Sequence, residues 1–180
     1  MTRGFHAWHD LSPGEDVPNE LQVFIEIPKG SRNKYELDKE TGLIKFDRLL
    51  YSSVHYPGDY GFIPQTLADD DDPLDVIVIV TEATFPGCIM HVRPIGVFEM
   101  SDDKGIDEKV LCVPFADPLR ENYHSLKDVR PHYLREVEHF FTVYKELEGK
   151  KTEVLGWADV ARARDIINEC LARYETVKPK

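Results

Sequence analysis

The sequence predicts an α+β domain, a small closed β-barrel flanked by helices. Three observations carry this expectation. Strand-type patterns fill the first two thirds of the chain, and helical periodicity takes over in the last third. Between them, Val76–Val80 is an unbroken β-branched run, which reads as a strand buried on both faces.

The elements follow in order. Residues 1–19 carry Pro13, Gly14 and Pro18 and read as an irregular arm, with His6 and His9 as surface residues. Leu21–Ile27 alternates around β-branched residues and stops at Pro28, so it reads as a strand. Lys34–Asp38 and Leu43–Arg48 form a hairpin across Lys39-Glu40-Thr41-Gly42, whose glycine supplies a positive φ. Residues 51–66, rich in Tyr, Pro and Gly, read as a rigid aromatic loop. Ile89–Met100 and Lys109–Val113 resume the strand pattern. From Pro131 to Leu147, apolar Leu134, Val137, Phe141, Tyr144 and Leu147 fall on one helical face. Pro131 suits the first turn of that helix and Gly149 its C-terminal cap. Asp159 then caps a second helix with Val160, Ala163, Ile167, Cys170 and Tyr174 inward.

The 180 residues are expected to form a single domain, 1–180, long enough to bury a core without staples. The widely spaced Cys88, Cys112 and Cys170 make neither a disulfide framework nor a zinc motif. With no apolar run approaching the roughly 20 residues of a membrane span, and no apolar leader, a cytoplasmic location is expected. The net charge is −11, from 22 Lys+Arg against 33 Asp+Glu. Such a chain repels a nucleic-acid backbone, and no basic block overrides the field.

The acid is bunched. Residues 69–75 hold five aspartates, and residues 102–108 hold three more and a glutamate. Crowded carboxylates repel unless cations lie between them. In Asp70-Asp71-Asp72-Pro73-Leu74-Asp75, extended backbone would put Asp70 and Asp72 on one side, with Pro73 stiffening the approach to Asp75. Hard divalent cations take several such oxygens, and Mg²⁺ adds waters and substrate phosphates. The calcium-sensing alternative fails: a loop begun at Asp70 puts Asp75 and Thr81 where an EF-hand needs Gly and Glu. The second acidic loop, Asp102 to Lys109, would be an ordinary turn by itself, but with the first it could close a multi-metal cage. Glu26 is a carboxylate within an apolar strand and needs a partner or a metal if it faces inward. Lys34, Arg48, Lys145 and the phenols of Tyr56, Tyr60 and Tyr144 are suited to a small oxyanion such as phosphate. Tyr144, continuing the apolar helix stripe, reads first as core and only second as a phosphate ligand.

Together these residues resemble the soluble family I inorganic pyrophosphatases of prokaryotic type, from about Leu21 to Tyr174. The aspartate run fits the family motif D-[SGDN]-D-[PE]-[LIVMF]-D-[LIVMGAC] in full. Around it stand Phe24-Ile25-Glu26-Ile27-Pro28, Asn33-Lys34-Tyr35-Glu36, Asp47-Arg48, Tyr56-Pro57-Gly58-Asp59-Tyr60-Gly61, Arg93-Pro94-Ile95-Gly96, His139-Phe140-Phe141 and Tyr144-Lys145. The resemblance implies a five-stranded OB-type barrel with two flanking C-terminal helices. It implies hydrolysis of pyrophosphate to two phosphates by a metal-activated water, with several Mg²⁺ ions per site and no covalent intermediate. By position, Asp70, Asp75 and Asp107 would bind metal, with Asp75 bridging, and Asp102 and Glu26 would hold metals arriving with substrate. Asp72 would take the proton from water. Lys34, Arg48, Tyr60, Lys109, Tyr144 and Lys145 would hold the phosphates, supported by Glu36 and Tyr56. The resemblance also implies a homohexamer, whose interface could include His132 and His139. Asp71 stands where glycine is common, and Ile106 where an acid or glycine is; both are expected to tune metal affinity without abolishing activity. An oligonucleotide-binding OB module, the rival use of such a barrel, would need a basic groove with stacking aromatics, which the charge opposes.

Overall fold

In the computed structural model, which describes residues 4–102 and 105–178, five strands close into a ring. Strand β1 (Leu21–Ile27) pairs antiparallel with β4 (Asp59–Phe62), and β4 with β5 (Asp75–Val78). β5 runs parallel to β7 (Gly105–Pro114), which pairs antiparallel with the long β6 (Ile89–Asp102). Pairing of Leu21–Phe24 with residues 89–92 of β6 shuts the ring. β8 (Glu153–Ala158) adds to the outer edge of β6, and β2 (Asn33–Leu37) with β3 (Ile44–Leu49) forms a separate hairpin. The expected five-stranded barrel is therefore present.

The β-branched run explains itself. Val76 and Val78 pack in a core completed by Ala163, Ile166, Ile167 and Cys170 of α3 (Val160–Val177). Ile77 and Ile79 pack in a second core with Val137, Phe140, Phe141 and Tyr144 at α2 (Pro131–Val143). Both faces of β5 are covered, so no polar alternation survives; each such side chain contributes about 1.5–3 kcal/mol by burial. Asp159 caps α3 as expected, accepting from the Arg162 amide. Gly61 is required by packing: a β-carbon there would collide with the Phe24 carbonyl of β1.

Several expectations need correction. The loop 51–66 contains β4, whose Tyr-Gly composition hides a fully buried strand. β8 was not expected at all, its alternation being broken by Gly156 at φ 127°. Helix α2 ends at Val143; Tyr144 caps it, a 3-10 turn follows to Gly149, and Leu147 is exposed rather than core. The arm carries a short helix, α1 (Ala7–Asp10), and its histidines are not surface groups: His6 is buried, and His9 Nδ1 lies 2.7 Å from the Tyr174 hydroxyl. The second acidic stretch is strand at both ends, Asp102 closing β6 and Gly105–Lys109 belonging to β7; Asp103 and Lys104 between them, and Met1–Arg3 of the arm, lie outside the described residues.

Candidate active site

The face of the sheet under α2 changes character at one end. Tyr60, Ile77 and Leu111 belong to the α2 core. Two residues back on the same faces stand Asp75, Lys109 and then Asp107, because side chains on a strand repeat every second position. The parallel register pairs Asp75 with Lys109. As a result Lys109 Nζ donates to Asp75 Oδ2 at 2.7 Å, Asp107 Oδ1 at 2.7 Å and the Tyr60 hydroxyl at 2.9 Å. Tyr60 in turn donates to Asp75 Oδ2. Lys109 is almost fully buried (1% exposed), so these bonds work in a low dielectric. Burial pushes its pKa down, but Asp107 and Asp75 more than compensate and hold it well above the usual lysine range. Burial raises the Asp75 carboxyl, opposed by Lys109 and reinforced by Asp107. The Tyr60 and Tyr56 phenols are raised well above their ordinary range, chiefly by burial.

This cluster floors a cleft of about 560 Å³. Its walls are Glu26, Lys34, Glu36, Arg48, Asp70, Asp72, Asp102, Tyr144 and Lys145. Every residue given a metal, proton-transfer, phosphate-binding or supporting role from the sequence thus lines one cavity except Tyr56, which lies buried behind it against Tyr60 and Phe140.

The hairpin brings the cations. Lys34 and Arg48 are cross-strand partners. Lys34 pairs with Glu36 and, at 3.4 Å, with Asp47; Arg48 pairs with Asp47 and, at 2.9 Å, with Glu148. Glu148 sits in the 3-10 turn after α2 and so ties the hairpin to Tyr144 and Lys145. Burial lowers the Lys145 pKa, but Tyr144 and Asp102, 3.0 Å away, raise it above the ordinary value. Tyr144 is both things the sequence allowed, a buried core ring and a wall of the cleft.

The aspartate loop is not extended. Asp71 has φ 65°, the left-handed region that favours glycine and tolerates Asp, and the Asp72 amide turns back to Asp70 Oδ1 at 3.2 Å. Nor is there a ready-made cage: among the described residues no three Asp, Glu, His or Cys groups are gathered tightly enough to hold a metal unaided. Lysines stand among the acids instead, Lys109 on Asp75 and Asp107, Lys145 on Asp102 and Lys39 on Asp72. That Asp75 and Asp107 converge on one cationic atom shows that their oxygens can share a cation, and an all-oxygen set fits a hard divalent ion. Sequence reasoning missed Trp8, Lys39 and Glu148 and named Asp47 without a role, all near or on the cleft. Asp47 was within reach, since it adjoins Arg48; the others join the site through contacts between distant segments and leave no local signal.

Glu26 accepts from the Leu37 amide at 2.6 Å. Burial pushes its carboxyl up to about 8 against that bond, with Asp75 adding to the rise. The folded chain keeps this proton while the unfolded chain loses it above 4.5. Glu26 therefore contributes stability that is full below 4.5 and is lost as pH rises through about 8. Glu26→Gln, neutral at every pH, should stabilise the metal-free protein at pH 8 by roughly 2–4 kcal/mol relative to the parent, at about 1.4 kcal/mol per pKa unit. Thermal melting of both from pH 5 to 8 checks this; parallel pH slopes would contradict it.

The family model described as inorganic pyrophosphatase matches residues 23–175. The inorganic pyrophosphatase of Methanosarcina acetivorans is 57% identical over 152 residues, covering 84% of this chain and 90% of that one. That of Synechocystis is 51% identical over 168 residues, covering 92% and 99%. The crystal structure of inorganic pyrophosphatase from Thermus thermophilus superposes with a TM-score of 0.91 at 42% identity, covering 94% of this chain and 99% of that one. On the strength of the matched residues and of a shared fold carried at high identity, this chain belongs to the inorganic pyrophosphatase family, enzymes that hydrolyse pyrophosphate.

Proposed function

We propose that the cleft performs Mg²⁺-dependent hydrolysis of pyrophosphate by direct attack of water, without a covalent intermediate. The observation that carries this reading is the union, in one cavity, of a carboxylate set on the barrel floor with Lys34, Arg48, Tyr144 and Lys145 on its walls. Asp70, Asp75 and Asp107 would hold the catalytic Mg²⁺ ions, and Asp102 and Glu26 those that accompany substrate. When bound, Mg²⁺ would offset phosphate charge and lower the pKa of a coordinated water toward about 7.

The chain's own groups do the rest. Asp72 orients the attacking water and accepts its proton. Lys34 and Arg48 present an ammonium and a planar fork from adjacent strands, a geometry that grips a phosphate from one side. Tyr144 and Lys145 approach from the end of α2, and Lys109 and Tyr60 from the floor. Burial strengthens these donors and keeps the Tyr60 proton in place for donation. Glu36 and Tyr56 support Lys34 and Tyr60. A loose phosphoryl transition state needs positioning and charge rather than a nucleophilic side chain. Single-turnover hydrolysis in ¹⁸O-water tests this: label should appear in phosphate with no phosphoprotein on acid quench. A trapped phosphoprotein would overturn direct attack.

We further propose a homo-oligomer, a hexamer, acting in the cytoplasm. Support comes from exposed apolar side chains such as Phe85, Ile89 and Leu155, and from the free thiols of Cys88, Cys112 and Cys170. His132 and His139 are exposed on α2, where an interface could cover them. Light scattering at neutral pH should show an assembly; monomer alone would refute it.

A further inference from the structure

Two residues of the connection between β4 and β5, which contains the aspartate loop, take left-handed backbone without being glycine, Gln65 at φ 54° and Asp71 at φ 65°. Such conformations persist where the surroundings hold them. Both are held from outside the loop, and both restraints lead to the N-terminal arm. The Gln65 amide donates to the Trp8 carbonyl at 2.8 Å, and its side chain donates to the Leu11 carbonyl at 3.1 Å. Lys39 Nζ donates to the Asp71 carbonyl at 3.0 Å and pairs with Asp72 Oδ1. Lys39 in turn is held by the arm: its Nζ lies 5.7 Å from the Trp8 ring centroid, and its carbonyl is 3.1 Å from His6 Nε2. The Trp8 indole donates to the Thr66 carbonyl at 2.8 Å. Thr66 Oγ1 then accepts from the Leu74 amide at 2.9 Å, closing the loop on itself.

We propose that Lys39 is a positioning residue for Asp72, and that α1, through Trp8, holds Lys39 and the aspartate loop in the working arrangement. This rests on the reading of Asp72 as the proton acceptor. A half-exposed Lys–Asp pair alone would count for little. Here three contacts converge on one ammonium, the Asp72 carboxylate, the Asp71 carbonyl and the Trp8 ring. They fix the turn that aims Asp72 rather than merely neutralise it. Trp8 and Lys39 also line the cleft itself, so the arm is one of its walls.

The test is steady-state hydrolysis of pyrophosphate at saturating Mg²⁺ by the full chain, with melting curves as the control for folding. Lys39→Met should lower kcat about 10- to 100-fold, the cost of a misplaced catalytic group. KM should stay within about twofold, since no substrate contact is removed. Lys39→Arg should restore most of the rate. Trp8→Leu should also lower kcat, and the double variant Trp8→Leu/Lys39→Met should be little worse than Lys39→Met, because both act through one contact chain. Trp8→Phe, which keeps the ring face but not the indole N–H, should fall between parent and Trp8→Leu; it decides the arm's part should Trp8→Leu fail to fold. Parental kcat in Lys39→Met, or a rise in KM with kcat unchanged, would overturn the proposal. Parental kcat in folded Trp8→Leu, or in Trp8→Phe where Trp8→Leu does not fold, would overturn the role of the arm. In an Asp72→Asn background Lys39→Met should cost nothing further. Full activity of Asp72→Asn itself would instead overturn the reading of Asp72, a separate outcome.

Discussion

Asp75→Asn should nearly abolish hydrolysis and sharply raise the Mg²⁺ requirement. Asp75 is the residue at which the aspartate run enters buried strand β5, so its carboxylate is placed by the sheet and not by the loop. Its Oδ2 is the shared acceptor of Lys109 and Tyr60, and Lys109 links it to Asp107. The substitution keeps shape but removes the charge that a ligand shared between two metal ions would need. Disturbing even a group behind a metal ligand costs about 10- to 100-fold in affinity or activity, so loss of a bridging ligand should cost at least about 100-fold. It also leaves the almost fully buried Lys109 charge with Asp107 as its remaining carboxylate, so some loss of melting temperature should accompany the loss of rate. Isothermal titration of Mg²⁺ together with steady-state kinetics checks this. Unchanged Mg²⁺ dependence and turnover would rule out Asp75 as the central ligand.

Asp72→Asn should separate chemistry from metal binding. Asp72 lies in the cleft wall and pairs with Lys39, which lines the same cleft. Asp70 lies before the left-handed turn at Asp71, Asp72 after it, and Asp75 at the start of the strand. The three aspartates are thus set by different backbone, which allows different roles. A positioned base contributes about 10²–10⁴-fold, and turnover should fall by a factor in that range. Mg²⁺ affinity should change far less than in Asp75→Asn. Residual activity should survive, because Lys34, Arg48, Lys109 and Lys145 remain to neutralise phosphate charge. Turnover at the parental rate would move the base elsewhere, with Glu36 and Asp102 next in line.

The parts of the molecule legible in its sequence are those fixed by local pattern. The β-branched run of β5 announces a doubly covered strand, and the apolar spacings of α2 and α3 predict the faces that they bury. The aspartates, lysines and tyrosines of the cleft stand in short motifs; sheet register brings Asp75 to Lys109 and Lys34 to Arg48, while the aspartate loop and the end of α2 supply Asp70, Asp72, Tyr144 and Lys145. What stayed hidden depends on pairing at a distance. β4 is written in Tyr and Gly because Gly61 must let β1 approach, so the composition of a turn conceals a strand. Ring closure between β1 and β6 leaves no trace in either strand alone. Tyr144 continues the helical stripe, yet the helix stops there, and an exposed Leu147 follows in the 3-10 turn. Lys39 reads as a turn lysine until folding sets it beside Asp72 and the Trp8 ring.

Phosphate release from pyrophosphate, titrated with Mg²⁺ and then with a chelator, tests the central claim most directly. Two phosphates per pyrophosphate should appear only with Mg²⁺, should cease on chelation, and should be lost in Asp75→Asn under the same conditions. Release that continues undiminished in chelator, or that proceeds at the parental rate in Asp75→Asn, would contradict a metal-dependent hydrolysis centred on the carboxylates of this cleft.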